Sequence, residues 1–177
     1  MKKSVAWFAF CLTAALATGC SLSTPPAANV PAADGAKYLL AAEPAGAKPV
    51  KELRGDAKDG DEVVVVGRIG GTAKPWIDGR AGFTIVDLSF IPCNAKEGDT
   101  CSTPWDYCCD SKDELVKGMA TVKVVDESGQ SVPMDARQLL GVKELDTVVV
   151  RGRAKRDDQG NLTVLAAGIH RRAAASK

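Results

Sequence analysis

Residues 62–71 read EVVVVGRIGG, and this stretch decides the fold of the chain. Four consecutive valines favour a β-strand, because β-branched side chains pack well on a pleated surface. Gly67, Gly70 and Gly71 follow the valines, and glycine allows a strand to bend sharply or to approach another backbone closely. We therefore predict a first strand that bends strongly enough to pair with two different neighbours.

Four further stretches have the composition of strands, and turn-forming residues separate them. They are residues 82–90, 120–126, 147–154 and 162–170. Pro133 suits a first helical position and Gly141 a helix end, so a short helix is predicted between the third and fourth strands. The resulting order β-β-β-α-β-β resembles the OB-fold. The resemblance implies an all-β domain with short helices over residues 61–172, built as a five-stranded Greek-key barrel. An immunoglobulin-like sandwich would need about two more strands.

Length and composition narrow the range of possible functions. The 177 residues carry a net charge of +1, which becomes −1 once residues 1–19, with their two lysines, are removed. A protein that neutralises phosphates normally has a strong basic excess, so nucleic acid is an unfavoured partner. The sequence contains no Gly-x-Ser-x-Gly, no phosphate-binding loop and only one histidine. We therefore predict that the protein is not an enzyme.

The amino terminus carries a targeting signal. Lys2 and Lys3 precede an apolar run over residues 5–16, which is too short to be a permanent membrane span. The run ends in Leu-Ala-Thr-Gly-Cys at residues 16–20, which resembles the lipobox of bacterial lipoprotein signals. The resemblance implies cleavage before Cys20 and acylation of Cys20. An ordinary secretory signal and an uncleaved anchor are the alternatives.

This targeting signal sets the predicted organisation and location. We expect a lipoprotein signal peptide at 1–19, a lipidated disordered tether at 20–35, an N-terminal extension at 36–60 and a disordered tail at 173–177. The expected location is the cell envelope, anchored to a membrane through lipid. Ser21 replaces the aspartate that retains some lipoproteins at the inner membrane, so the outer membrane or the periplasmic face is favoured.

Residues 91–118 form a cysteine-rich insert between the second and third predicted strands. The insert contains Cys93, Cys101, Cys108 and Cys109. Its segment TPWDYCC at 103–109 resembles one found in uncharacterised exported bacterial proteins, and this resemblance implies no activity. Outside the cytoplasm, four cysteines are expected to form two disulfides, with three possible connectivities. Strain in a bond between adjacent cysteines favours pairing of Cys108 and Cys109 with Cys93 and Cys101.

The alternative is a site in which the same four cysteines bind Zn²⁺ or Cu(I) as thiolates. Residues 93–117 carry a net charge of −3, which favours a cation. The gaps of seven, six and zero residues between the cysteines differ from the Cys-x2–4-Cys pairs of most zinc sites. A redox role is less favoured, because no Cys-x-x-Cys is present. The disulfide interpretation needs no cofactor.

Aromatic and basic residues suggest a ligand face, since OB-folds bind oligonucleotides and oligosaccharides across strands two and three. The candidate residues are Arg68, Trp76, Arg80, Trp105, Tyr107, Arg151 and Arg153. We therefore predict a binding module for a glycan, peptide or protein of the envelope, with metal binding as the alternative function. Binding of an oligonucleotide, or of haem at His170, is less favoured, and the oligomeric state stays open.

Overall fold

A computed structural model describes residues 33–98 and 100–173. The predicted signal peptide, the acylated Cys20, the tether up to residue 32 and the last four tail residues lie outside the described residues. Within the described part of the chain, no helix has the length and apolarity needed to cross a membrane.

The described residues form a mostly β structure with short helices, which confirms the predicted all-β class. The elements in chain order are a 3-10 helix Ala33–Tyr38, β1 Lys48–Pro49, α1 Val50–Asp56, β2 Glu62–Ile69, β3 Gly82–Val86, a second 3-10 helix Cys93–Ala95, α2 Lys112–Lys117, β4 Met119–Val124, α3 Ala136–Leu140, β5 Thr147–Arg156 and β6 Leu162–Arg171.

The six strands form one mixed sheet. β2 is antiparallel to β3 at one end and antiparallel to β5 along most of its length. β3 pairs with β4, β4 runs parallel to β6, and β6 pairs with β5. The pairings of the five longer strands therefore form a closed circuit that begins and ends at β2. The prediction that the glycine-rich first strand serves two neighbours is confirmed.

Alternation along the strands defines the inner face of this sheet. In β4, Ala120, Val122 and Val124 are buried while the residues between them are half-buried, as expected for side chains that alternate between two faces. α3 adds Leu139 and Leu140 to the main apolar core. The residues before β2 also contribute to this core, through Tyr38, Val50 and Leu53.

Several element boundaries differ from the sequence prediction, among them the end of β2 at Ile69 rather than residue 71 and the end of β4 at Val124 rather than residue 126. β3 ends at Val86 rather than at residue 90, because the Asp87 carboxylate accepts hydrogen bonds from the backbone N–H groups of Lys51 (2.9 Å) and Ser89 (3.0 Å) and turns the chain. α3 begins at Ala136 rather than at Pro133, because Asp135 caps it. β5 continues two residues beyond the predicted Ala154, to Arg156.

Candidate functional site

The chain between β3 and β4 forms a small folded insert on the outside of the sheet. The last residue of β3, Val86, pairs with the first residue of β4, Met119. Their side chains join Phe90, Tyr107 and Leu115 in an apolar cluster separate from the main core. The insert therefore covers the outer face of β3 and β4 at one end of the two strands.

Hydrogen bonds fasten the insert to the end of β2 and the loop that follows it. The Gly71 N–H donates to the Trp105 carbonyl (2.7 Å), and the Trp105 indole N–H donates to the Ala73 carbonyl (3.2 Å). A Cβ at Gly70 would lie 2.4 Å from the Trp105 carbonyl oxygen. The glycine pair predicted to bend the first strand thus also gives the insert room to approach.

The cysteine sulfurs gather inside the insert. Cys93 is fully buried at the start of a 3-10 helix, and its N–H donates to the Pro104 carbonyl (3.1 Å). Tyr107 has a left-handed φ of 56°, which reverses the chain between Asp106 and Cys108. As a result, one ligand atom each from Cys93, Cys101, Asp106 and Cys108 lies within 4.8 Å of the other three.

The sulfur spacings differ from those of disulfides. Cys101 Sγ lies 3.8 Å from Cys108 Sγ, and Cys108 Sγ lies 3.9 Å from Cys109 Sγ, whereas a disulfide bond measures about 2.05 Å. Cys93 and Cys108 carry thiols, so the structure differs from the predicted pair of disulfides. Four sulfurs around a zinc ion with bonds of about 2.3 Å would lie about 3.8 Å apart. The spacing between Cys101 and Cys108, which both belong to the cluster of donors, matches the edge of that tetrahedron.

Asp106 is the donor that the sequence analysis did not assign. Its carboxylate accepts hydrogen bonds from the Cys108 N–H (2.9 Å) and from the Thr103 hydroxyl (2.8 Å). Burial raises the pKa of Asp106, but these hydrogen bonds outweigh burial and hold its pKa below the ordinary value. The carboxylate is therefore charged at neutral pH. The sequence did contain a signal for this donor, because the polar residues Thr103 and Asp106 come within five residues before Cys108.

The surroundings of the thiols shift the pKa values of Cys93 and Lys96. Burial raises the pKa of Cys93, while an N–H donated by the Cys109 backbone acts in the opposite direction. Lys96 Nζ lies 3.4 Å from an Asp110 carboxylate oxygen. Burial would lower the pKa of Lys96, but the charge of Asp110 and the hydrogen bond to it raise the pKa overall. A positive side chain thus stands next to the group of donors, where it would offset an excess of negative ligands.

The aromatic candidates for ligand binding all have partners within the fold, and their role in binding stays a prediction. Tyr107 is fully buried, and Arg68 donates to its hydroxyl (3.4 Å) and to the Phe90 carbonyl (3.1 Å). Trp76 packs edge-on against Phe83. The Trp76 indole also donates to Glu144 (2.6 Å), with the Arg137 guanidinium 5.3 Å from the ring centroid. The Trp105 indole, bound to the Ala73 carbonyl, likewise helps to hold a loop in place.

The remaining candidates lie apart from the cysteines in the fold. Arg151 and Arg153 are exposed on β5 and border a groove of about 710 Å³ beside the turn 126–129. Exposed Arg80 donates to the Ser131 carbonyl (3.3 Å). His170 Nδ1 lies 3.0 Å from the Leu40 carbonyl oxygen, so this ring nitrogen is engaged with the backbone.

Comparisons with known proteins assign the chain to no family. No family model matches the chain, and no curated protein matches it. Among solved structures, the chain is similar to Schizosaccharomyces pombe Pot1pC bound to single-stranded DNA, with 16% identity and a TM-score of 0.39. The match covers 68% of this chain and 85% of the other.

Proposed function

We propose that this chain is a metal-binding lipoprotein of the cell envelope, in which an OB-fold-like barrel carries a zinc site in its insert. The pairing circuit β2–β3–β4–β6–β5 and its one parallel pair, β4–β6, support the barrel assignment. The placement of α3 between β4 and β5 supports it as well. The role is binding rather than catalysis.

The observation that carries the metal assignment is the convergence of four donors. Three thiols and one carboxylate, from Cys93, Cys101, Cys108 and Asp106, lie within 4.8 Å of one another. Thiolates bind soft cations, and both Zn²⁺ and Cu(I) accept them. A carboxylate suits Zn²⁺ better than Cu(I). The proposed ligands are therefore three cysteines with Asp106, in place of the four cysteines that the sequence suggested.

The small core of the insert gives a physical reason for a cross-link. Phe90, Tyr107 and Leu115 are the side chains that it contributes to the outer apolar cluster. Each ordered residue costs about 1–2 kcal/mol of backbone entropy, so these three are few for a segment that runs from 87 to 118. Metal binding supplies folding free energy to segments that lack a sufficient core.

The anchor is argued from the first twenty residues. Cleavage before Cys20 and its acylation would tie the barrel to a membrane through residues 20–32. A labelled fatty acid supplied to the cells should be incorporated into the wild-type protein and not into Cys20→Ser. Absence of label from the wild-type protein would contradict a lipid anchor.

Metal analysis of the full chain, purified without reductant or chelator, tests the function. We expect about one zinc per chain, and a cobalt-loaded protein with the absorption of a tetrahedral thiolate complex. Cys108→Ser should lose the metal, whereas Cys109→Ser is the matched control and should retain it. Equal retention by both variants, or a metal-free protein with two disulfides, would refute the zinc site.

A groove next to the insert favours a second function, the binding of an envelope glycan. It measures about 310 Å³ and crosses β3, β4 and β6. Thr121 pairs with Thr84 on one side and with Thr163 on the other, and Asn161 stands at the groove's edge. Hydroxyl and amide groups are suited to hydrogen-bond a sugar. A screen of envelope glycans against wild type and Thr121→Val tests this, and equal binding by both would exclude the groove.

A further inference from the structure

We infer that metal binding locks the insert over one end of this groove, so that the metal centre controls how far the groove extends along β3 and β4. The inference rests on the proposed zinc site. It concerns the regulation of the ligand face rather than the identity of the metal.

The first argument is that the insert forms a wall of the groove. Val116, on α2, is 55% exposed and lines the groove together with Met119. The Met119 side chain also packs against the apolar cluster that the insert forms with Val86. Departure of the insert would therefore uncover Val86 and Met119 and lengthen the groove along the outer face of the two strands.

The second argument is that the proposed ligands adjoin the residues that anchor the insert. Tyr107 lies between Asp106 and Cys108 in the sequence, and Phe90 comes three residues before Cys93. The rings of Phe90 and Tyr107 meet edge to face, with centroids 6.2 Å apart. A metal bound by these ligands would fix the backbone on both sides of the contact between the two rings.

The third argument concerns the contacts between the insert and the rest of the fold. Arg68 donates to the Phe90 carbonyl and the Tyr107 hydroxyl, and Trp105 bonds to Gly71 and Ala73. All of these contacts depend on the conformation of residues next to the proposed ligands. The main core, by contrast, includes none of the insert's side chains. Loss of metal is therefore expected to release the insert and to leave the barrel folded.

Hydrogen exchange of the full chain, measured by mass spectrometry with zinc and then with a chelator, tests this inference. Chelation should accelerate exchange at least tenfold in peptides from residues 87–118, and at the N–H of Gly71. Peptides from β5 and β6 should keep their exchange rates. Unchanged exchange in the insert after proven loss of zinc would overturn the lock, as would loss of protection throughout the barrel.

Two variants separate this inference from the proposed function. Cys108→Ser in zinc-containing buffer should exchange like the chelated wild type, and Cys109→Ser like the zinc-loaded one. If wild type binds no zinc, the proposed function fails and the lock falls with it. If wild type binds zinc but the insert of Cys108→Ser remains as protected as in wild type, only the lock is refuted.

Discussion

Single residues at the junction of sheet and insert serve two purposes at once. Gly71 has a φ of 96°, in the left-handed region that glycine adopts without strain. A Cβ at this position would lie 2.7 Å from Val86 Cγ1 and 2.9 Å from Met119 Cε. Glycine is thus required here for two reasons. The turn after β2 needs its positive φ, and the side chains of Val86 and Met119 beneath the insert leave no room for a Cβ.

Gly71→Ala is expected to destabilise the protein by about 2–4 kcal/mol, from left-handed strain together with overpacking. Gly79→Ala is the control, because Gly79 has a similar φ of 66° and a Cβ added there would meet nothing within 4 Å. Gly79→Ala should lose only the unfolding free energy that left-handed strain costs, about 1–2 kcal/mol. Urea unfolding of both variants measures the difference, and equal losses would contradict the steric account.

Asp87 joins α1 to the end of β3. It is 4% exposed, and its carboxylate accepts from the backbone N–H groups of Lys51 and Ser89. Burial raises the pKa of Asp87, but the hydrogen bonds outweigh burial and lower the pKa overall. A lowered native pKa means that the carboxylate stabilises the fold at neutral pH. This contribution is lost as the pH falls through the native pKa.

Asp87→Asn is therefore expected to lose about 1.5–3 kcal/mol of unfolding free energy at pH 7. The difference from wild type should begin to shrink below the unfolded-state pKa of about 4 and should disappear only below the lowered native pKa, where the wild-type carboxyl is protonated in the folded state. Asp158→Asn, at an exposed position, is the control and should change little. Denaturation measured at several pH values checks this, and a constant difference down to the lowest pH would rule out the carboxylate as the cause.

At the scale of elements, the strands were predictable and the insert was not. Runs of β-branched residues, which fit a pleated sheet, predict the strands β2, β4, β5 and β6. The position of the insert depends on Tyr107, whose positive φ and buried ring have no local sequence signal. Cysteine spacing gave little guidance, because the turn at Tyr107 gathers the donors across irregular gaps.

Tyr107→Ala tests the insert as an element. Loss of the buried ring should cost about 3–5 kcal/mol and should weaken metal retention, because the ring fixes the backbone between Asp106 and Cys108. Tyr107→Phe keeps the ring, loses only the bond from Arg68, and should cost about 1 kcal/mol or less. Unfolding free energies and zinc content check both variants. Full zinc retention by Tyr107→Ala would show that the ring does not organise the site.

At the scale of the molecule, a sheet with its own core carries an insert that has a separate, smaller apolar cluster. The main core takes its side chains from the strands, α1, α3 and the residues before β1. The insert has its own small cluster. In an oxidising compartment, the same cysteines can hold a metal or form disulfides. The proposed function requires the metal-bound state.

The intact mass of the native full-length protein, purified without reductant or chelator, distinguishes the two states most directly. The account predicts that the native mass exceeds the mass of the metal-free, reduced chain by one zinc ion, less the protons that the zinc displaces. Denaturation with chelator should then release the metal and leave thiols at Cys93, Cys101, Cys108 and Cys109 that all react with an alkylating reagent. A metal-free protein with a mass lower by two hydrogens per disulfide, and with no reactive thiols before reduction, would contradict it.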